Sequence, residues 1–239
     1  MEGVGVRASL PTMVERVWPA LVDLVVPLQC GGCARPGTRW CRGCAAAFAD
    51  APIEVRTRVR LPVPAYALGR YTGVRRQAIL ELKERGRRDL SAPLGAAVAG
   101  AIRALDRWSE LPAAERLLLI PAPTRPMSAR RRGGDPVTAI ADSAARSLGD
   151  LAAVRPLLVT SMWARDSAHL LADERGDNLA GAIRIRRGAR TDLAPTRGRD
   201  AAVVLLDDVL TTGATAAESV TVLAHEGIDV HLVLVIAAA

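Results

Sequence analysis

Three uninterrupted apolar runs, set among segments with helical periodicity, constrain the fold of this chain most. The runs lie within residues 116–123, 201–208 and 229–238. Strands that read as continuous apolar runs, without polar alternation, are covered on both faces of their sheet. The pattern therefore predicts three buried strands.

A helix is predicted over residues 90–108, before the first apolar run. Ser91 stands at its start, where a side chain that caps the helix is expected. The apolar positions recur at helical spacing. They are Leu94, Val98, Ala101, Ile102 and Leu105.

Two further helices follow the first two apolar runs. The helix over residues 135–150 has Asp135 at the N-cap position and Pro136 at the first helical position, where proline is best tolerated. The helix over residues 214–227 ends at Gly227, a residue type that favours helix termination. Both segments thus carry their own start or stop signals.

The alternation of strands and helices predicts an α/β fold, a mostly parallel sheet flanked by helices. Ligands of such sheets bind at the carboxyl ends of the strands. The sequence contains neither G-x-G-x-x-G nor G-x4-G-K-[ST], so the common dinucleotide and nucleoside triphosphate motifs are absent.

The stretch VVLLDDVLTTGAT, residues 203–215, combines two chemistries at one strand end. Asp207 and Asp208 offer acceptors for neighbouring hydroxyl groups, whereas the loop from Thr211 to Thr215 precedes a helix and offers N–H and hydroxyl donors to an anion. Two carboxylates would repel a phosphate, so they must face another part of the ligand. A sugar diol with a phosphate one carbon beyond it, as in a ribose 5-phosphate, satisfies both requirements.

Four cysteines near the N-terminus form two C-x2-C pairs that are separated by seven residues. They are Cys30, Cys33, Cys41 and Cys44. Two such turns facing each other make the tetrahedral sulfur site of a structural zinc ion, with no open position for catalysis. Two disulfides, or four unrelated thiols, are the alternatives. Since the surrounding segment has few apolar residues, metal binding is expected to supply its folding energy.

The 239 residues divide into three parts by composition. Residues 1–50 hold an N-terminal apolar helix and the four-cysteine segment, residues 51–64 form a charged, Pro-containing linker, and residues 65–239 form the α/β domain. Charged residues and prolines interrupt the N-terminal apolar stretch, which predicts a helix packed on its own domain. A weak membrane-surface anchor is the alternative, and no stable membrane insertion is expected. The clustered cysteines and the absence of a visible export signal indicate a cytoplasmic protein.

The net charge of +7 favours anionic ligands. It is weak support for nucleic-acid binding, because arginine is abundant throughout the chain and its frequency can reflect codon bias. Aromatic residues are few: four Trp, two Tyr and one Phe. The core is therefore predicted to be aliphatic.

The stretch from residue 203 to residue 215 resembles the motif of the type I phosphoribosyltransferases at all thirteen positions. That resemblance implies that Asp207 and Asp208 hold the ribose hydroxyls of phosphoribosyl pyrophosphate (PRPP). It also implies that the loop cradles the 5-phosphate of PRPP. The loop residues are Thr211, Thr212, Gly213, Ala214 and Thr215.

Other segments are similar, in the same order, to the ComF family, which pairs a zinc-binding N-terminal segment with a phosphoribosyltransferase domain and is associated with DNA uptake in bacteria. The cysteine-rich N-terminus is followed by YTGVRRQAILELKERG, LLIPAPT, an Arg-Gly and ERGDNLAGA. The chain departs from the family in having Gly134, Asp135 and Pro136 after Arg-Gly, and Ser167 where a glutamine is expected. It also lacks a second set of cysteines.

The resemblance places the pyrophosphate site after the strand that precedes residue 122. Backbone amides and arginines are available there, and arginine binds phosphate in a bidentate manner. The expected pyrophosphate-binding residues are Ala122, Thr124, Arg125, Arg130 and Arg132. Mg²⁺ would bind with the pyrophosphate and the sugar hydroxyls. The alternative for these arginines is a solvated loop.

Three further residues of these segments are candidates for the neighbourhood of the site. Lys83 is the single lysine, and it either lies near the site, as the resemblance suggests, or pairs with glutamates on a helix surface. Arg175 and Asn178 are expected in a segment above the site.

Two functions are compatible with the sequence. The first is transfer of ribose 5-phosphate from PRPP to an unknown acceptor. The second is a non-catalytic sensor of PRPP or a nucleotide that binds single-stranded DNA or a DNA-uptake protein through arginine clusters at 56–60, 85–88 and 184–190.

Overall fold

A computed structural model describes residues 28–124, 134–160, 182–189 and 201–239. The described chain is a mixed α/β structure. Its helices are α1 (Arg42–Ala47), α2 (Gly73–Glu84), α3 (Ser91–Arg107), α4 (Pro136–Leu148) and α5 (Ala214–His225). Its strands are β1 (Ile53–Glu54), β2 (Ala65–Ala67), β3 (Arg116–Pro121), β4 (Ala152–Val154), β5 (Leu158–Thr160), β6 (Ile183–Ile185), β7 (Ala201–Leu210) and β8 (Leu232–Ala238).

A six-stranded sheet in the order β1-β2-β8-β7-β3-β4 forms the centre of the fold. Only the pairing of β1 with β2, among the described strands of this sheet, is antiparallel. The three predicted strands are β3, β7 and β8, which lie side by side. Their carboxyl ends therefore meet at one edge of the sheet. A separate two-stranded antiparallel sheet consists of β5 and β6.

Each face of the sheet has its own aliphatic core. The helices α2, α3 and α4 cover the face that contains Val204 and Leu206. The opposite face, which contains Val203 and Leu205, is covered by the helix α5 and the two-stranded β5–β6 sheet. Because both faces are covered, consecutive residues of β7 are buried, and the continuous apolar run of the sequence is explained.

Helix caps were predicted with mixed success. Asp135 caps α4 as expected, since its carboxylate accepts hydrogen bonds from the N–H groups of Val137 and Thr138. Gly227 follows the end of α5 with a positive φ of 77°, as expected of a terminating glycine. The prediction for Ser91 was wrong. A 3₁₀ turn over Arg88–Leu90 runs directly into α3, so Ser91 already has helical geometry and its hydroxyl caps nothing.

Residues 51–64 are more structured than a linker. The strand β1 pairs with β2 at the edge of the sheet. The next residue continues the pairing, because the N–H of Val55 donates a hydrogen bond to the carbonyl oxygen of Ala65 over 2.8 Å. This segment is therefore fastened to the α/β domain over part of its length.

The crossing of α3 and α4 depends on Gly95. A Cβ atom at this position would lie 2.5 Å from the Cβ of Ser143 and 2.8 Å from the backbone nitrogen of Ala144. We expect Gly95→Ala to force the two helices apart and to lower the free energy of unfolding by about 1–3 kcal/mol, measured by urea denaturation.

Gly100 is the matched control in the same helix, because it is exposed and a Cβ there would meet nothing within 4 Å. Gly100→Ala should leave stability unchanged or raise it by up to about 1 kcal/mol, since alanine is the better helix former. Equal effects of the two substitutions would contradict the close crossing.

No helix in the described part of the chain is long and apolar enough to cross a membrane. The predicted N-terminal apolar helix lies outside the described residues.

Candidate functional site

The two aspartates lie near the carboxyl end of β7, at the edge where β3 and β8 also end. The register pairs Leu206 with Pro121, and the N–H of Ala122 donates a hydrogen bond to the carbonyl oxygen of Leu206 over 2.8 Å. The turn after β3 therefore begins directly beside Asp207. Since side chains alternate along a strand, Asp207 shares its face with Leu205, and Asp208 shares the other face with Leu206.

Asp208 pairs with Lys83 of α2. The Nζ of Lys83 lies 2.8 Å from Oδ1 and 2.8 Å from Oδ2 of Asp208. The Asp208 side chain is only 10% exposed, so this ion pair lies at the margin of the core and not on an open surface. Of the two interpretations of the single lysine, the structure favours proximity to the candidate site.

Asp207 is half-buried and holds the backbone beside it, because its Oδ1 accepts a hydrogen bond from the N–H of Asp208 over 2.8 Å. Burial, together with the negative charge of Asp208, raises the pKa of Asp207 to about 7. The N–H of Asp208 and the ammonium of Lys83 lower this pKa but do not restore its usual range. A carboxyl group with a raised pKa at the carboxyl ends of sheet strands is a feature of many binding sites.

The loop after β7 turns through Gly213, which has a φ of 89° and forms the N-cap of α5. Glycine is required there because other residues rarely adopt this conformation. The hydroxyl of Thr212 accepts a hydrogen bond from the N–H of Ala214 over 3.3 Å. Thr211 is exposed, and Thr215 is half-buried in the first turn of α5. The loop thus presents hydroxyl groups beside a helix N-terminus, where an anion is favoured.

The segment over residues 55–61 contacts this loop, which the sequence did not predict. The N–H of Val59 donates a hydrogen bond to the carbonyl oxygen of Thr212 over 3.0 Å. The side chain of Thr57 packs against Gly213, so that a Cβ at residue 213 would lie 2.8 Å from the Cβ of Thr57. The charged, proline-containing composition of this segment is typical of a linker and gave no signal of the contact.

Gly213→Ala should therefore carry two penalties, a left-handed backbone and a clash with Thr57. We expect it to lower the free energy of unfolding by about 2 kcal/mol or more in urea denaturation. Gly188 has a similar φ of 84° but open space around its Cβ position. Gly188→Ala should cost about 1 kcal/mol, because only the backbone strain applies. If both substitutions cost the same, Thr57 does not constrain the loop.

The turn after β3 is linked to the start of α4. Thr124 donates a hydrogen bond from its hydroxyl to Oδ1 of Asp135 over 2.6 Å. The structure thus brings Ala122 and Thr124, two of the expected pyrophosphate-binding residues, to the same edge as the aspartates. The expected arginines and the residues expected above the site lie outside the described part of the chain. These are Arg125, Arg130, Arg132, Arg175 and Asn178.

A cavity of about 280 Å³ begins at Asp135 and runs along α4 as far as Arg146, beside the end of α2 and the start of α3. Leu82, the neighbour of Lys83, and Asp135, the partner of Thr124, both line it. Its other polar lining residues include Arg88, Asp142 and Arg146. The cavity therefore borders Asp135 and the neighbour of Lys83, whereas Asp207 and Asp208 are not among its lining residues.

The four cysteines form a second candidate site, with geometry suited to a metal ion. Their sulfur atoms all lie within 4.8 Å of one another, and two pairs, Cys30 with Cys44 and Cys33 with Cys41, are 3.6 Å apart. A tetrahedral zinc ion with Zn–S bonds of about 2.3 Å requires sulfur–sulfur distances of about 3.8 Å. The cysteines are free thiols in this structure, and the two shortest sulfur–sulfur distances are near this value.

The backbone around the cysteines supports charged sulfur atoms. The N–H of Cys41 points at the Sγ of Cys30 over 3.4 Å, and the N–H of Cys44 points at the Sγ of Cys41 over 3.4 Å. Burial disfavours the thiolate of Cys30, but backbone N–H groups outweigh burial and lower its pKa to about 6. Burial and the neighbouring thiols raise the pKa of Cys44. A divalent cation would stabilise the thiolate form of all four cysteines, including Cys44, since it binds each sulfur as a thiolate.

The cysteine segment is docked on the α/β domain. Val74 of α2 packs against the cysteines, as does Trp40 of the cysteine segment itself. Arg87 donates hydrogen bonds to the carbonyl oxygens of Gln29 and Arg39. Gly32 permits the close turn, because a Cβ there would lie 2.7 Å from the Sγ of Cys44. These contacts indicate a structural role for the cluster.

Comparison of the chain with models of known protein families, and with curated proteins, finds no match.

Proposed function

We propose that this chain is a PRPP-binding protein of the type I phosphoribosyltransferase kind, of the ComF type, which transfers ribose 5-phosphate from PRPP to an unknown acceptor. One observation carries the proposal. Two adjacent carboxylates at the end of a central strand are followed at once by a glycine-turned, hydroxyl-rich loop at a helix N-terminus. Diol acceptors and a phosphate cradle thus lie side by side, as the sugar phosphate of PRPP requires.

The 5-phosphate would bind at the loop from Thr211 to Thr215. There it meets the N-terminal end of α5, which carries partial positive charge. Asp207 and Asp208 would accept hydrogen bonds from the ribose hydroxyls. The pyrophosphate would extend towards the neighbouring strand β3, whose last residue pairs with Leu206. Ala122, Thr124 and the arginines that follow them would bind it in this arrangement.

The chemistry needs no nucleophile from the protein. Breaking the bond between C1 and pyrophosphate develops positive charge on the sugar ring, as in glycoside chemistry. Carboxylates next to the ring would stabilise that charge, and arginines would stabilise the leaving group. Mg²⁺, bound by the pyrophosphate and the sugar hydroxyls, would supply further charge neutralisation.

The four-cysteine segment fits the same proposal, with Zn²⁺ as a structural ion held by Cys30, Cys33, Cys41 and Cys44. A role linked to DNA uptake follows from the ComF resemblance alone. Exposed arginines also occur in β6 and directly after it, at residues 184, 186 and 187, where nucleic-acid phosphates would find cationic partners. A sensor that binds PRPP without turnover is the second candidate.

Pyrophosphate release separates the two candidates. The purified full chain is incubated with PRPP, Mg²⁺ and each of a set of nucleobases, and pyrophosphate is measured. Release that requires both PRPP and one acceptor, and that is lost in Asp207→Asn, supports the transferase. PRPP binding without release on any acceptor supports the sensor. Absence of both would refute the proposed ligand.

A further inference from the structure

Lys83 is the one lysine of the chain, and its position is set by tertiary structure. It comes from α2, and its ammonium bonds both oxygens of Asp208, 125 residues later in the sequence. The Lys83 side chain is 29% exposed and that of Asp208 is 10% exposed. The pair therefore forms at the boundary between core and solvent, where charges interact more strongly than on an open surface.

The charges around Asp207 come from three elements. Asp208 on the same strand and Asp135 at the start of α4 are anions that disfavour its ionised form. Among the described residues, Lys83 on α2 is the cation that favours the ionised form of Asp207. Two neighbouring carboxylates cannot both ionise easily unless a cation compensates them. Lys83 is placed to provide this compensation at the point where a sugar diol would need two acceptors.

A purely structural ion pair is the simplest alternative, in which Lys83 only fastens α2 to the sheet. The C-cap residue of the same helix makes a local ion pair, in which the guanidinium of Arg85 lies 2.5 Å from the carboxylate of Glu81, one turn earlier. The Arg85 side chain is 70% exposed. The Glu81 side chain is only 9% exposed, but it also accepts a hydrogen bond from the side-chain amide of Gln77 and so keeps a partner when Arg85 is replaced. Arg85 therefore provides a matched control for the loss of a cation from α2.

We propose that Lys83 is a positioning residue of the site: it fixes the orientation of the Asp208 carboxylate and compensates its charge, so that Asp207 and Asp208 together accept the hydroxyl groups of the sugar. This inference rests on the proposed function. Lys83 leaves lone pairs on both oxygens of Asp208 for a ligand, since a carboxylate has about four acceptor sites. It does not itself touch the reacting atoms.

The test compares the PRPP affinity of Lys83→Met, Lys83→Arg and Arg85→Met from pH 6 to pH 8.5. In the wild type, affinity should rise with pH through about 7, because ionised Asp207 is the better acceptor. Lys83→Met should bind PRPP about tenfold more weakly at pH 7, and its rise should move to higher pH. Lys83→Arg should restore the pH profile in part, and Arg85→Met should leave both properties unchanged.

Because every variant is titrated with the same ligand, the ionisation of PRPP itself cancels in the comparison. Wild-type affinity and an unaltered pH profile in Lys83→Met would overturn the inference. If Lys83→Met does not fold, the decision passes to Lys83→Arg. That variant keeps the charge but changes the geometry, and wild-type affinity in it would contradict a positioning role.

Failure of the proposed function can be told apart from failure of this inference. If the wild type does not bind PRPP, the proposed function is wrong. The carboxyl carbon of Asp207 is then followed by NMR against pH in the wild type and in Lys83→Met. An upward move of its titration in the variant supports charge compensation by Lys83 without any ligand, and an unchanged titration excludes it.

Discussion

Chelation of the proposed zinc ion should unfold the cysteine segment while leaving the α/β domain folded. The four sulfur atoms lie within 4.8 Å of one another, close enough to bind one metal ion, and few apolar side chains besides Trp40 and Phe48 hold the described part of this segment together. Zinc contributes about 10–16 kcal/mol to small domains of this kind. Metal analysis should find about one zinc ion per chain. After chelation, amide hydrogen exchange should become fast in residues 28–50.

Cys41→Ser should have the same effect as the chelator, because it removes one of the four sulfur ligands. Serine can still cap α1 in place of the Cys41 sulfur, so the effect reports on the metal and not on the helix cap. Thr38→Ala is the control within the same segment, since Thr38 donates a hydrogen bond to the carbonyl oxygen of Trp40 but offers no sulfur. The Thr38→Ala variant should retain zinc, and its amide hydrogen exchange should stay slow. A wild-type chain that contains no metal, with exchange unaffected by a chelator, would show that the cluster is not a zinc site.

The central sheet could be predicted from the sequence because its signals are local. Continuous apolar runs identified β3, β7 and β8, and Asp135 followed by Pro136 identified the start of α4. Ser91 shows the limit of this reasoning. Its position suggested a cap, but the preceding residues Arg88–Leu90 already form a 3₁₀ turn, so the chain enters the helix without one. Such a turn carries no distinct composition.

The candidate site could be predicted only in part, because some of its contacts join residues that are distant in sequence. The carboxylates and the loop are contiguous in sequence, from Asp207 to Thr215, and were recognised together. The ion pair of Lys83 with Asp208 and the packing of Thr57 on Gly213 join residues that are far apart in the chain. No periodicity or local motif encodes such contacts. They become visible only when the register of the sheet places α2 and residues 55–61 beside the end of β7.

Replacement of the aspartates should have the second large effect. Asp207→Asn and Asp208→Asn preserve shape but remove the charge that accepts hydroxyl groups. A hydrogen bond to a charged group contributes about 1.5–3 kcal/mol, so each substitution should weaken PRPP binding by about 10- to 100-fold. The effect of Asp208→Asn should be the larger, because it also leaves the Lys83 ammonium without its partner.

Asp150→Asn is the matched control for these variants. Asp150 is exposed and lies just before β4, at the amino edge of the sheet and away from the candidate site. Asp150→Asn removes the same formal charge but at a distance from the site, so this variant should leave PRPP affinity unchanged. If Asp150→Asn weakens binding as much as Asp207→Asn does, the effect reflects net charge and not contact with the sugar.

Isothermal titration of the full chain with PRPP and Mg²⁺ tests the central claim most directly. We expect saturable binding with a stoichiometry of about one, and weaker binding of ribose 5-phosphate, which retains the diol and the 5-phosphate but lacks the pyrophosphate. The same titration of the Asp207→Asn variant should show a marked loss of affinity. No binding of PRPP to the wild type, or equal binding by wild type and variant, would contradict the assignment of these carboxylates to the sugar.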